Sequence, residues 1–182
     1  MTMIKWLPYL IDLTSILIWL KLQFRTIMTL SRWQLVTLIS TIIYIIVVSY
    51  LTLAPTSVAF VGPQQVVPLM VAGAPVNLIP FWSTTADFYQ NVLMMLPLGV
   101  YVALIKPEFK LKKVFFSGIV ISTAIEAMQF VLDITVGLSR WVDINDVLTN
   151  ALGVLVGWGM IFILKKTPLK KIICRFCITG FR

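Results

Sequence analysis

Residues 35–54 read LVTLISTIIYIIVVSYLTLA, twenty consecutive positions without a charged side chain. As a helix rising 1.5 Å per residue, this run covers about 30 Å, the thickness of a bilayer's hydrocarbon core. It is the clearest membrane span in the chain, and it sets the class of fold: helices that use lipid as their solvent.

Working outward, residues 88–105, 114–132 and about 145–164 also approach spanning length. Each carries polar residues that a lipid-facing helix would not expose, so these three are expected to pack against one another. The stretch Leu7–Leu20 is shorter and contains Asp12. It reads either as a first span beginning near Ile4, the favoured reading, or as an interfacial helix. A cleaved signal peptide fits less well, because Lys21, Arg25 and Arg32 follow where a small-residue cleavage site belongs. The expected fold is all-α, a polytopic transmembrane bundle of four to five helices. Its parts are residues 1–34 as an N-terminal hydrophobic, interfacial or first transmembrane segment, 35–164 as the transmembrane domain, and 165–182 as a basic tail.

Composition agrees. Apolar residues make up 59% of the 182 and charged residues 12%, and a mean hydropathy of +0.97 excludes a water-soluble domain of this size. The net charge of +8 is evidence first about orientation. Interleaved basic and aromatic patterns of the RNA-binding kind are absent, so the expected partners are membrane lipids and not nucleic acid. Histidine is missing altogether, which leaves carboxylates and amides to carry any chemistry. Cys174 and Cys177 form a lone CxxC in the tail, and two thiolates do not complete a zinc site. No cofactor is expected.

Basic residues set the predicted topology. Lys21, Arg25 and Arg32 precede the clear span, while residues 55–87 contain no lysine or arginine. Lys106, Lys110, Lys112 and Lys113 fall in the next loop, and residues 133–144 hold only Arg140. The tail carries Lys165, Lys166, Lys170, Lys171, Arg175 and Arg182. The lysine-rich side, including the C-terminus, is therefore predicted to be cytoplasmic. The tail reads as an end that lies on anionic lipid. Pro55, Pro63, Pro68, Pro75 and Pro80 deny the external segment 55–87 a continuous helix. Irregular backbone at a membrane face has to be covered by protein or bathed in water, so this segment reads as a lid over the helices or as a plain apolar connector.

Polar residues then mark a level inside the bundle. Measured from the predicted helix ends, Asn91 lies about 5 Å, Glu126 about 9 Å and Asn150 about 7 Å from the external face. Ser122, Glu126, Gln129 and Asp133 form one helical stripe, and Asp146, Asn150, Gly153 and Gly157 form another, with glycines that permit close helix contact. Asp143 and Asp146 suit an N-cap and a first-turn carboxylate. Glu126 is the demanding residue, since an ionisable group in a span costs about 3 kcal/mol at its centre. With Asp133, Asp143 and Asp146 around Arg140, it makes a cluster suited to a cation or an amine. Asn91, Glu126, Gln129, Arg140, Asp143, Asp146 and Asn150 are the candidate ligand-binding residues. The alternative for the same groups is packing, in which polar side chains bond between helices for around 1 kcal/mol each.

These residues also carry a resemblance. NLIPF at Asn77–Phe81, Asn91 with PLG at Pro97–Gly99, SxxxExxQ at Ser122, Glu126 and Gln129, and RxxDxxDxxxNxxG from Arg140 to Gly153 resemble, in order and spacing, the VanZ-like family. The resemblance covers about residues 77–157. It implies a bacterial plasma-membrane protein and, from the family's founding member, low-level resistance to the lipoglycopeptide teicoplanin.

Three functions stand at this point. One is a resistance protein acting at the outer leaflet through the acidic and amide site, with a lipoglycopeptide as partner. Another is a membrane enzyme on a lipid-linked cell-wall precursor, with Glu126 as general base or with Asp143 and Asp146 binding a divalent cation through oxygen. The last is a non-catalytic scaffold whose polar cluster is packing. No nucleophile or full metal motif accompanies the enzyme reading.

Overall fold

Ser31 starts the first long helix, α3 (Arg32–Leu53). Its Oγ accepts from the Gln34 backbone N–H at 3.4 Å, and Gln34 Oε1 accepts from the Ser31 N–H at 2.9 Å, a reciprocal capping box. Pro55 ends the helix by pushing the preceding Ala54 into extended backbone, with ψ 147°. The computed structural model describes residues 3–55, 69–81, 86–137 and 141–178. Three further long helices follow: α4 (Ala86–Ile105), α5 (Leu111–Val136) and α6 (Ile144–Leu164). Together with α3, these are the four helices among the described residues long and apolar enough to cross a membrane. Their large apolar side chains point largely outward; Leu93, Phe116, Val120 and Ile163 are all more than 60% exposed. That pattern fits an apolar solvent.

Backbone proximity holds α4 against α6. A Cβ at Gly157 would fall on the Leu96 carbonyl oxygen, one at Gly99 on that of Val154, and one at Gly153 on that of Val92. The three glycines thus let the two helices touch main chain to main chain. Gly118 does the same less tightly for α5, where a Cβ would sit 3.3 Å from the Ala151 Cα. Met95, Val114 and Val154 form the buried core among these three helices. Pro97 removes an N–H inside α4, and close by the Tyr44 hydroxyl donates from α3 to the Met94 carbonyl at 2.9 Å.

Before α3 lie a 3-10 turn (Ile4–Trp6), α1 (Leu7–Leu22) and the short α2 (Phe24–Ile27). Helix α1 has 16 residues, about 24 Å, and none of them is buried. Its start stands beside the end of α3, with the Tyr50 ring 6.2 Å from Trp6 and 5.7 Å from Tyr9. Lys5 Nζ there donates to the Gly137 carbonyl just past the end of α5. Helix α1 therefore runs antiparallel to α3, back toward the end of the bundle that carries the lysines.

At the opposite end from the lysines sits a small sheet that the all-helical expectation did not include. Strand β1 (Leu69–Val71) pairs antiparallel with β2 (Ala74–Asn77), and β2 pairs in parallel with β3 (Val142–Asp143), placing Asn77 opposite Asp143. Ala72 and Gly73 make the connecting turn with φ 51° and 89°, the paired positive values of a type I′ hairpin.

The tail is not a free arm at the basic end. Helix α7 (Lys170–Phe176) brings Phe176 against Trp33, with centroids 5.0 Å apart, and the Ile178 N–H donates to the Leu104 carbonyl at 2.9 Å. Gln34 Nε2 and Thr37 Oγ1 donate to the Cys177 and Phe176 carbonyls, each at 2.9 Å, and Lys165 Nζ to that of Ala103 at 2.8 Å. Cys177 is buried and Cys174 exposed, both as free thiols. Burial pushes the Cys177 thiol pKa up.

Candidate functional site

The site forms where β3 turns into α6. Asp143 is in extended backbone and caps the helix, its Oδ1 accepting from the Asn145 N–H at 2.7 Å, as the Asp-x-x-Asp spacing predicts. The same oxygen accepts from Asn77 Nδ2 at 3.0 Å. The Asp143 N–H in turn donates to Glu126 Oε2 on α5 at 3.1 Å. One turn on, Asp146 Oδ1 accepts from Asn91 Nδ2 of α4 at 2.6 Å, and the Asp146 carbonyl accepts from the Ser122 hydroxyl at 3.3 Å. Three carboxylates thus surround the N-terminal turn of one helix, where its unpaired N–H groups favour negative charge.

The NLIPF segment closes this group from outside. Asn77 Oδ1 accepts from the Ile79 N–H at 3.0 Å, and Asn145 Oδ1 from the Phe81 N–H at 2.6 Å. That second bond holds Phe81 at φ 57°, a conformation an ordinary side chain avoids. Leu78, Ile79 and Phe81 point away from the polar group and are exposed, at 64%, 45% and 64%. Glu126, Asn77 and Asn145 are buried beneath them, while Asp143 and Asp146 keep partial exposure.

Asn91, Glu126, Asp143 and Asp146, from three helices, therefore come together as a bonded cluster. Gln129 does not join it: its Nε2 donates to the Thr52 carbonyl at 3.2 Å and ties α5 to the end of α3. Asn150 lies one turn deeper than Asp146, 2% exposed, and its Oδ1 has no hydrogen-bond partner among the described residues. Arg140 lies outside the described residues.

Glu126 lies deeper than the predicted helix ends place it. Helix α5 continues to Val136, so Glu126 is about 15 Å from that end, where about 9 Å was expected. It still meets Asp143 because α6 begins recessed, level with the middle of α5. Asn77 and Asn145 are site residues that the candidate set lacked. Asn77 carried a signal, as the first residue of NLIPF; Asn145, between Asp143 and Asp146, carried only its place two residues after a cap.

The model of the VanZ/LLP1 family matches residues 41–165, more than two thirds of the chain and every residue of the cluster. No curated protein and no solved structure gives a match. With four spanning helices and a family match running from within α3 to the end of α6, this chain is a multi-pass membrane protein that belongs to the VanZ/LLP1 family.

Proposed function

We propose that this protein confers low-level resistance to teicoplanin from the outer leaflet of a bacterial plasma membrane, using the cluster of Glu126, Asp143, Asp146 and Asn91 as its binding site. The supporting observation is the pairing of chemistries at one end of the bundle. Carboxylates gathered at the α6 N-terminus stand beneath an edge of exposed Leu78, Ile79 and Phe81. A lipoglycopeptide carries a matching pair, an amine for the carboxylates and an acyl chain for the apolar edge and the surrounding lipid. Held there, the drug is kept from its cell-wall target.

In this reading the cluster faces outward and the C-terminus is cytoplasmic. Thirteen of the fifteen basic residues belong to the opposite side, in 21–34, 106–113 and the tail. The antiparallel course of α1 beside α3, with Lys5 near the outer end of α5, supports reading it as a fifth, shorter crossing.

The test compares inhibitory concentrations of teicoplanin and of vancomycin, which lacks the acyl tail, in cells with and without this chain at matched membrane abundance. Selective protection against teicoplanin is expected. Equal protection against both drugs would point instead to a change in the shared wall precursor, and no protection would leave the cluster as packing.

A further inference from the structure

We propose that the groove lined by Phe109, Lys112, Lys113, Phe116, Ser117 and Val120, at the basic end of the bundle, binds one anionic glycerophospholipid. It lies at the opposite end from the carboxylate cluster and stands independently of the resistance reading.

The sequence lays out the site along one helix. Lys112, Phe116 and Val120 recur every four residues near the start of α5, so they form one stripe from the helix end inward. Lys113 and Ser117 form a second stripe beside it. Val120 lies about 14 Å along the helix from Leu111, well within the hydrocarbon region if the lysines sit at headgroup level. Phe109 supplies the opposing wall: its N–H donates to the Lys106 carbonyl at 2.9 Å, turning the loop back, and Lys113 Nζ stands 5.5 Å from its ring centroid. The groove is open along the helix face and has a volume of about 480 Å³.

Charge complementarity selects the occupant. Both lysines are exposed, the first turn of α5 contains no acidic residue, and its N-cap, Lys110, makes no side-chain cap bond. The lysines at the mouth outnumber the one carboxylate of the connecting loop, the exposed Glu108 beside Phe109, which is not part of the lining. Below the mouth the walls are apolar, with Phe116 63% and Val120 65% exposed. A phosphate headgroup between two lysines and an acyl chain along Phe116 and Val120 satisfy both halves, whereas a free phosphate satisfies only the first.

The experiment uses the full chain reconstituted in phosphatidylcholine with or without added phosphatidylglycerol, reading retained lipid by native mass spectrometry and the shift in unfolding temperature. Wild type should retain one phosphatidylglycerol and unfold at higher temperature with it. Lys112→Gln with Lys113→Gln should weaken retention roughly 25-fold, at about fivefold per lysine. The single Lys112→Gln should show about fivefold, which keeps the test valid if the double variant unfolds early in phosphatidylcholine alone. Phe116→Ala should also weaken retention. Lys170→Gln with Lys171→Gln, on α7, should not. Equal loss from the α7 pair would show a diffuse surface effect and overturn the site. Undiminished retention in the Lys112/Lys113 variant would overturn it too, as would equal stabilisation by inorganic phosphate.

Discussion

Asn91 on α4 donates its side-chain amide to the Asp146 carboxylate on α6 at 2.6 Å, across the same helix pair whose glycines bring main chain against main chain. The bond and the packing depend on one another. Close approach delivers the short amide to the short carboxylate, and the carboxylate gives a half-buried amide the partner it needs.

The site's charge can be removed with this geometry left in place. Asp146→Asn retains an oxygen to accept from Asn91, and Glu126→Gln retains one for the Asp143 N–H. Both variants should reach wild-type membrane abundance and lose protection down to the level of cells lacking the chain. Resistance normalised to membrane protein level is the measurement, and full protection from the doubly neutral variant would remove the charged site.

Packing glycines should respond in the opposite sense. Gly157→Ala or Gly99→Ala drives a methyl group into a facing carbonyl, so we expect a loss of about 1–3 kcal/mol or more and reduced abundance. Gly159→Ala is the control. Among the described residues no atom beyond its own helix backbone lies within 4 Å of the Cβ it would gain, and alanine's helix propensity favours it. Unfolding temperature in detergent distinguishes the two, and equal behaviour would contradict main-chain contact between α4 and α6.

Asn150 offers a separation of stability from function. Its buried Oδ1 has no partner among the described residues, a cost of about 1–3 kcal/mol that leucine, of similar size, does not incur. Asn150→Leu should hold or raise the unfolding temperature and lower protection against teicoplanin. A fall in unfolding temperature of several degrees would mean that the amide is structural.

Orientation is checked by labelling. In a background with Cys174→Ser and Cys177→Ala, Met70→Cys on the exposed hairpin should react with an impermeant maleimide in intact cells, and Lys112→Cys only after permeabilisation. The reverse pattern would invert the topology.

Part of this protein was legible along the chain. The charge-free run from Leu35 to Ala54, the basic clusters and the Asp143 cap are local signals, because hydrophobic length, charge count and the first turn of a helix depend on neighbours a few residues away. The stripe containing Ser122 and Glu126 likewise announced the face that meets α6. Gln129 on the same stripe went elsewhere, to Thr52, because a helix face broad enough to carry four side chains touches two neighbours.

What tertiary structure alone decided rests on partners distant in sequence. Strand β2 is four residues long, contains Pro75, and gains its parallel partner from Val142 and Asp143, so no alternation within it marks a strand. The tail reads as a basic end that lies on anionic lipid; that its Ile178 is buried, with its N–H on the Leu104 carbonyl, shows only in the fold. The recess of α6 beside α5 sets which groups share a level, and along that seam Gly118 of α5 packs against the Ala151 backbone of α6. By itself the sequence determined that lipid is the solvent and which residues a helix end or span must accommodate, since those are costs each segment meets alone. Only the packed bundle decided which carboxylate meets which amide, because that depends on where helices stop relative to one another.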